Sequence, residues 1–381
     1  IRAWNGFSEY DSTDKNSKEA FLRDFHQILD SIRDSGFDET VSTVPIQGDS
    51  ILNGSHRLAG CLLHDVPVKC VQGQDGKDGQ HDCSWYFFTT QTQTNPIIYD
   101  RAALEYVKLS SKMKLITLFP IATRRNLVNQ TRDVIGQFAK LFYEKPVFLN
   151  QNGAVNLMRE LYWQEKWAES NGGRGFFEKA NLCFGGRVDG APVVVFFAEF
   201  ESQADAVECK KRIREIYKVA NHSVHINDTH DESIRIAKTV LNNNSIQYLN
   251  SFDVTKARPA RLTNLLSEYQ RLISSQGLDL ENYAVSAGAV ISRFGLKVCK
   301  DVDYIHKGPA LITSNPDIQS HNEYGVALYP TNYDNIIFNP LHHFYVHGIK
   351  FASLPIVRGL KANRQEPKDF TDIALIDQVL V

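Results

Sequence analysis

Residues 19 to 33, EAFLRDFHQILDSIR, carry Phe21, Phe25, Ile28, Leu29 and Ile32 at helical spacing, and Gly36 supplies a stop. The segments VPIQG, a GDS turn and ILNG follow, then a helix from about His56 to His64 and a strand in VPVKCVQ. The order is helix, strand, strand, helix, strand. A polar loop, GQDGKDGQHD, precedes the aromatic run CSWYFFTT, after which RAALEYVKLSSK reads as helix and KLITLFPIA as strand.

In the middle of the chain, NLVNQTRDVIGQFAKLFYE and AVNLMRELYWQEKWAE read as helices, and ANLCFGG and VVVFFAEF as strands. AVECKKRIREIYKVA is helical again. After the strand SVHIND, Thr229 and Glu232 predict a capping box that opens the helix ESIRIAKTVLN. RPARLTNLLSEYQRLISSQG is helical, and NYAVSAGAVISRFGLKVCKDVDYIHKG reads as strand, helix, strand. No repeat of solenoid period and no low-complexity segment interrupts the pattern.

A chain of 381 residues has room for two or three domains, each with its own core. The pattern divides into a mixed domain over 1–120, an α/β middle segment over 121–240 and a further domain over 241–381, so the expected class is α/β and α+β. Hydrophobic content of 43% and charged content of 23% lie in the globular range. Lys plus Arg (42) nearly balance Asp plus Glu (44), so no global positive field gathers nucleic acid. The longest apolar stretch, APVVVFFAEF, is half a membrane span and contains Glu199, so it reads as a buried strand. The six cysteines form no CxxC pair, which argues against a zinc ribbon and suits reduced thiols in a cytoplasm. The N-terminus has no basic start followed by an apolar core, and its missing initiator Met suggests trimming or a fragment. The glycosylation-type triplets at Asn53, Asn129, Asn221 and Asn227 are then chance matches.

Asn53, Gly54, Ser55, His56 and Arg57 sit between a predicted strand and a helix start, where free N–H groups and the helix dipole favour an anion. Gly54 allows a close backbone approach. Arg57 brings a forked donor, Ser55 a hydroxyl, and His56 a donor that also carries a proton, a set that suits a polyphosphate. The plainer alternative is that Ser55 caps the helix and His56 and Arg57 face solvent.

The segment DSILNGSHRLAGCLL, with VPIQG before it and VPVKCVQ after it, resembles the core of the ParB/sulfiredoxin fold over about residues 15 to 120. The resemblance implies that Asn53, Gly54, Ser55, His56 and Arg57 hold nucleotide phosphates, with His56 in a catalytic role. Free serine kinases of that superfamily have an aspartate, implicated as a base, where this chain has Asn53. A base would then come from elsewhere, Asp49 or a glutamate of the first helix. Sulfiredoxin's cysteine position is Ser55 here, which argues against sulfinic acid reduction. The basic helix-turn-helix that follows the nucleotide domain in ParB is not evident.

Ser286-Ala287-Gly288 precedes Asp301-Val302-Asp303 by twelve residues, with the helix AVISRFG between. Strand alternation puts Asp301 and Asp303 on one face, where two carboxylates can share divalent cations and support in-line phosphoryl transfer. The segment resembles the DNA polymerase β-like nucleotidyltransferase superfamily over about residues 240 to 381. The resemblance implies Asp301 and Asp303 as catalytic metal ligands, Ser286 and Gly288 beside a triphosphate, and a third carboxylate on a later strand. Asp334 in YDNIIFNP matches that third position best, and absence of the third group would imply a degenerate domain that binds without catalysing. The turn reads Ala-Gly instead of Gly-Gly or Gly-Ser, so Ser286 is the source of any hydroxyl donor.

His222, His225 and Asp228 are a further metal-type set, but His222 and His225 point to opposite faces of a regular strand, and a hydrogen-bonded His225 is the competing expectation. His342, His343 and His347 cluster near Tyr345. Trp163 and Trp167 lie one helical turn apart and read as core or interface. Lys210, Lys211, Arg212 and Arg214 read as a solvated helix face.

The expected function is a nucleotide-dependent kinase that uses ATP or another nucleoside triphosphate and Mg2+ on a small hydroxyl or sugar acceptor. Similarity of this domain combination to proteins of bacterial surface-polysaccharide genes implies the sugar. The alternatives are a metal-dependent nucleotidyltransferase acting through the DVD carboxylates and a non-catalytic nucleotide-binding regulator. No nucleic acid partner and no membrane span are expected.

Overall fold

Ser17 accepts a hydrogen bond from Ala20 N (3.2 Å) and so opens helix α1, Lys18–Ser35, which Gly36 ends at φ 75°. The computed structural model describes residues 17–47, 50–73, 96–163, 165–253, 255, 260–325 and 327–380. The loop 74–82, the aromatic run at 83–90 and Asp49 lie outside the described residues. The chain is mixed α/β and divides into two units, Ile1–Ile98 and Tyr99–Val381.

In the first unit, strands β1 (Val44–Gln47), β2 (Ser50–Ile51) and β3 (Cys70–Gln72) form a sheet ordered β2-β1-β3. β1 runs antiparallel to β2 and parallel to β3, so helix α2 (Ser55–His64) is the crossover that parallel pairing requires. α2 packs on α1, and Gly60 permits the approach: a Cβ there would lie 2.7 Å from Ile32 Cδ1. The expected order of helix, strand, strand, helix, strand is present, with VPVKCVQ extended into a strand only at Cys70–Gln72.

The second unit begins within helix α3 (Pro96–Leu109) and holds two sheets. Strands β4 (Met113–Leu118), β5 (Ala139–Val147), β6 (Val193–Phe200) and β7 (Val224–Ile226) pair antiparallel in the order β5-β6-β4-β7. One face of this sheet, with Ile116, Leu118, Val194, Phe196 and Ala198, packs on helix α4 (Val128–Phe138), which brings Ile135, and on helix α7 (Gln203–Tyr217), which brings Cys209, Ile213 and Tyr217. Between these two helices come α5 (Gln151–Leu161) and α6 (Lys166–Cys183), and after them α8 (His230–Val240). The expected capping box at Thr229 and Glu232 is formed at the start of α8.

Three expectations change. The helix expected over 126–144 ends at Phe138, because Ala139–Val147 pairs along the length of the apolar β6 and its ladder satisfies backbone groups that a continuing helix would otherwise bond. The helix expected over 154–169 breaks at Tyr162 (φ -111°), leaving α5 and α6 separate. ANLCFGG is the end of α6 and its exit, not a strand: Ala180 and Cys183 lie on the buried side, and Gly185 (φ 64°) and Gly186 (φ 74°) supply the left-handed residues that stop the helix.

Helices α9 (Asn243–Ser251) and α10 (Ala260–Ser275) lead to the second sheet of this unit. Its strands β8 (Tyr283–Ser286), β9 (Val302–His306), β10 (Ile318–Ser320), β11 (His343–Val346) and β12 (Ile349–Ala352) take the order β10-β9-β8-β12-β11. Helix α11 (Ala287–Arg293) connects β8 to its antiparallel neighbour β9, as the strand, helix, strand pattern predicted. Helices α12 (Tyr333–Phe338), α13 (Leu354–Arg364) and α14 (Pro367–Leu380) complete the chain. Cys61, Cys70, Cys183, Cys209 and Cys299 are free. Among the described residues no helix is long and apolar enough to cross a membrane.

Candidate functional site

Gly54 is the N-cap of α2 at φ 85°, and it bears no side chain to cover the amides of the first turn. Asn53 Oδ1 accepts from Gly54 N (2.6 Å), and Gly54 O accepts the first helical bond from Leu58 N (3.0 Å). Arg57 Nη1 donates to Ser42 Oγ. The guanidinium thereby lies against Gly54, where a Cβ would come 2.9 Å from Nη2 and 3.2 Å from Val44 Cγ2. His56 packs its ring 5.1 Å from that of Phe25. Ser55 is the first helical residue and exposed; the cap position belongs to Gly54. Of the bases considered, Glu19 lies exposed in the first turn of α1.

In the second unit the turn at Ser286–Gly288 and the carboxylate of Asp303 come from adjoining strands. Ser286, the last residue of β8, is the cross-strand partner of Asp303 on β9. Ala287 follows at φ 51°, which lifts the chain abruptly into α11. A Cβ at Gly288 would have as its nearest described neighbours Lys297 Cε and Nζ and Cys299 Cβ, at 3.8 to 3.9 Å, so packing within the fold does not require the glycine.

Four side chains then form one chain of contacts. Tyr329 OH donates to the buried Ser286 Oγ (2.7 Å), His321 Nδ1 lies 3.3 Å from Tyr329 OH, and His321 Nε2 lies 3.2 Å from Asp303 Oδ1. Burial holds the Tyr329 phenol protonated, its pKa well above the ordinary value. Because the Ser286 hydroxyl is engaged by Tyr329, it does not cap α11.

Asp301 immediately precedes β9 and is half-buried. Asp334, expected on a strand, lies instead in the first turn of α12 and pairs with Lys307 (2.8 Å), with both side chains more than half exposed. Lys307 follows the far end of β9, so this ion pair does not bring Asp334 to Asp303. Among the described residues, no group of three His, Cys, Asp or Glu side chains is placed to hold a metal ion.

Behind the turn runs a row of charges absent from the sequence reading. Lys297 Nζ contacts both oxygens of Asp372 (2.7 Å), Lys361 bridges Asp372 (2.9 Å) and Asp369 (3.0 Å), and Arg364 binds Asp369 (2.7 Å). These cations hold Asp369 and Asp372 below the usual carboxylate range despite their burial. Arg364 also feels the charge of Asp303. His321 and Tyr329 carried no sequence signal, since both come from the irregular segment between β10 and α12. The row of charges had one, the alternating basic and acidic residues of KANRQEPKDFTD.

Compared with known proteins, the chain matches no family model, no curated protein and no solved structure.

Proposed function

We propose that the chain is a nucleotide-dependent transferase whose reacting centre is the corner of the second sheet where Ser286 and Asp303 pair. It would transfer a nucleotidyl group from a nucleoside triphosphate to the hydroxyl of a small or sugar acceptor, with release of pyrophosphate. The observation that carries this reading is the register Ser286↔Asp303, which sets a small-residue turn beside a carboxylate on the neighbouring strand.

Asp301 and Asp303 supply hard oxygen donors of the kind Mg2+ takes one or two at a time, the rest of its shell being phosphate oxygens and water. The residues thus fit the ion without a third protein carboxylate. Held there by Asp301 and Asp303, Mg2+ would supply charge neutralisation for the phosphates and polarisation of the bond under attack. The chain's own part is orientation: His321 steadies Asp303, and Tyr329 fixes the Ser286 hydroxyl at the turn. Incubation with α-labelled nucleoside triphosphates, Mg2+ and a panel of sugars and polyols tests this, with Asp303→Asn expected to abolish transfer.

A second reading, the kinase or nucleotide-binding role of the first unit, is favoured by a specific observation: the uncapped glycine start of α2 beside Arg57. Asn53 Oδ1 is occupied by Gly54 N and is no base, so phosphate holding is the chemistry this turn supports best. Calorimetry with ATP, ADP and CTP, on the wild type and Arg57→Ala, separates the two readings.

A further inference from the structure

The four basic residues of α7 do not share one solvated face. Lys211 and Arg212 are exposed and pair with Glu208 (3.5 and 3.0 Å), whereas Lys210 and Arg214, one turn apart, point toward β7. Among the described residues β7 is the last strand in its sheet, paired with β4 alone. Lys210 and Arg214 from α7 and Lys179 from α6 lie close enough to His225 of β7 for their charges to act on it, Lys210 reaches Ile226 O of the strand, and Lys179 meets His222 of the preceding 3-10 turn.

Among the described residues none of these lysines or Arg214 makes an ion pair. Lys179 Nζ donates to Asn221 O (2.8 Å) and lies 3.4 Å from His222 Nδ1, and Lys210 Nζ donates to Ile226 O (3.1 Å). Each ammonium has further N–H groups to give. Arg214 Nε and His225 Nε2 are buried and have no hydrogen-bond partner among the described residues. Two acids, Asp228 and Glu232, draw on Lys210 but form no ion pair with it among the described residues: Asp228 Oδ1 accepts from Gln203, and Glu232 accepts from Asp228 N and Thr229 N in its capping box. The positive groups work against one another. Burial first, and neighbouring cations second, push Lys179 and His222 below their ordinary values and His225 down to about 3; burial also lowers Lys210, against the pull of Asp228 and Glu232. Such a cluster costs stability unless a negative charge occupies it.

An aromatic ring borders it. Tyr162 lies edge-on to His225 (5.0 Å) and to the exposed Trp167 (5.2 Å), and Lys179 Nζ sits 5.6 Å from the Tyr162 ring centre.

We propose that Lys179, Lys210, Arg214 and His222, at the open edge of β7, bind the phosphate group of a small molecule, with Tyr162 and Trp167 beside them to take an attached ring. The site shares no residue with Ser286–Asp303 or with Gly54–Arg57, and the proposal rests on neither.

The test is calorimetric titration of the full chain with pyrophosphate, without Mg2+, at low salt, and with inorganic phosphate and AMP as further arms. Lys179→Met with Arg214→Met should weaken pyrophosphate at least tenfold, whereas R57A and D303N should leave this binding event in place. AMP binding more tightly than phosphate assigns a nucleotide; equal affinities assign the phosphate group alone. Thermal melts supply a second readout. Relief of like-charge repulsion should leave the double variant at least as stable as the wild type, and pyrophosphate should raise the wild-type Tm but not that of the variant. Absence of pyrophosphate binding by the wild type, or equal affinity in the double variant, overturns the proposal. So does a lower Tm in the variant with no effect of pyrophosphate on either protein, the signature of cations that merely cover the strand edge.

Discussion

Asp303 and Ser286 face each other across the β8–β9 ladder and are also joined side chain to side chain, through His321 on Asp303 and Tyr329 on Ser286. The second connection runs through a segment more than thirty residues downstream of the turn, so the geometry at Ser286 depends on how 307–332 is packed. Tyr329→Phe removes the donor and leaves the buried Ser286 hydroxyl without it. The expected cost is about 1 kcal/mol of stability. On the proposed function, kcat should fall more than KM rises, because the hydroxyl is displaced and not deleted. Urea unfolding and steady-state kinetics read the two effects separately.

Lys361 is nearly inaccessible and bridges two nearly inaccessible carboxylates, Asp369 and Asp372. Lys361→Met leaves both with less compensation and should destabilise the second unit by about 3 kcal/mol. Arg358→Met breaks an ion pair with Asp377 of similar geometry but at the surface, and should cost under about 1 kcal/mol. Similar denaturation midpoints for the two variants would show that the row behind the turn carries no burial penalty.

Gly54→Ala meets two obstacles, a φ of 85° and a contact 2.9 Å from Arg57 Nη2. The strain alone is about 1 kcal/mol, and relief of the contact requires Arg57 to leave its place beside Ser42. Lower stability is expected and, on the second reading of this turn as a phosphate holder, weakened ATP or CTP binding with it. Weaker binding should also appear in Arg57→Lys, since an ammonium lacks the fork.

Acid should destabilise the protein before its surface carboxylates titrate. Burial and nearby positive charge keep His225 and His343 neutral in the fold down to about pH 3, whereas in the unfolded chain a histidine takes a proton near 6.5. The unfolded state therefore binds more protons between those values, and stability declines as pH falls through that window. Glu160, held at about 2 by His347 and Arg235 against a normal 4.5, adds a loss of the same sign at lower pH. Urea midpoints at pH 7.5, 6 and 5 should fall in that order, and His343→Gln should reduce the slope. An unchanged midpoint across the series would contradict the burial of these rings.

The sequence was most legible where one signal dominated. The apolar run that became β6, the strand, helix, strand order around Ser286 and Asp303, and the capping box at Thr229 all follow from local pattern. Ala139–Val147 was not legible because its strand character comes from β6, a partner about fifty residues away, while its own residues continue a helical periodicity. Lys210 and Arg214 were indistinguishable in sequence from Lys211 and Arg212, because composition does not say which side of a helix faces a strand edge. The break at Tyr162 likewise separated two tryptophans expected on one helix: Trp163 stacks on His347 at 5.2 Å and Trp167 packs on Tyr162. Of the candidate residues, Ser286 and Asp303 are adjacent and Gly54 and Arg57 are in contact, whereas Asp334 sits on a different element with its own partner.

The most direct test of a reacting centre at Asp303 is transfer of α-label, with matching release of pyrophosphate, from each of the four nucleoside triphosphates in the presence of Mg2+ and the acceptor panel. Wild type and Arg57→Ala should both transfer label, and Asp303→Asn should fall to background while keeping its fold. Transfer of γ-label that survives Asp303→Asn and is lost in Arg57→Ala would place the chemistry at the first unit instead. No transfer of either label by the wild type would contradict an enzymatic role for the Ser286–Asp303 corner.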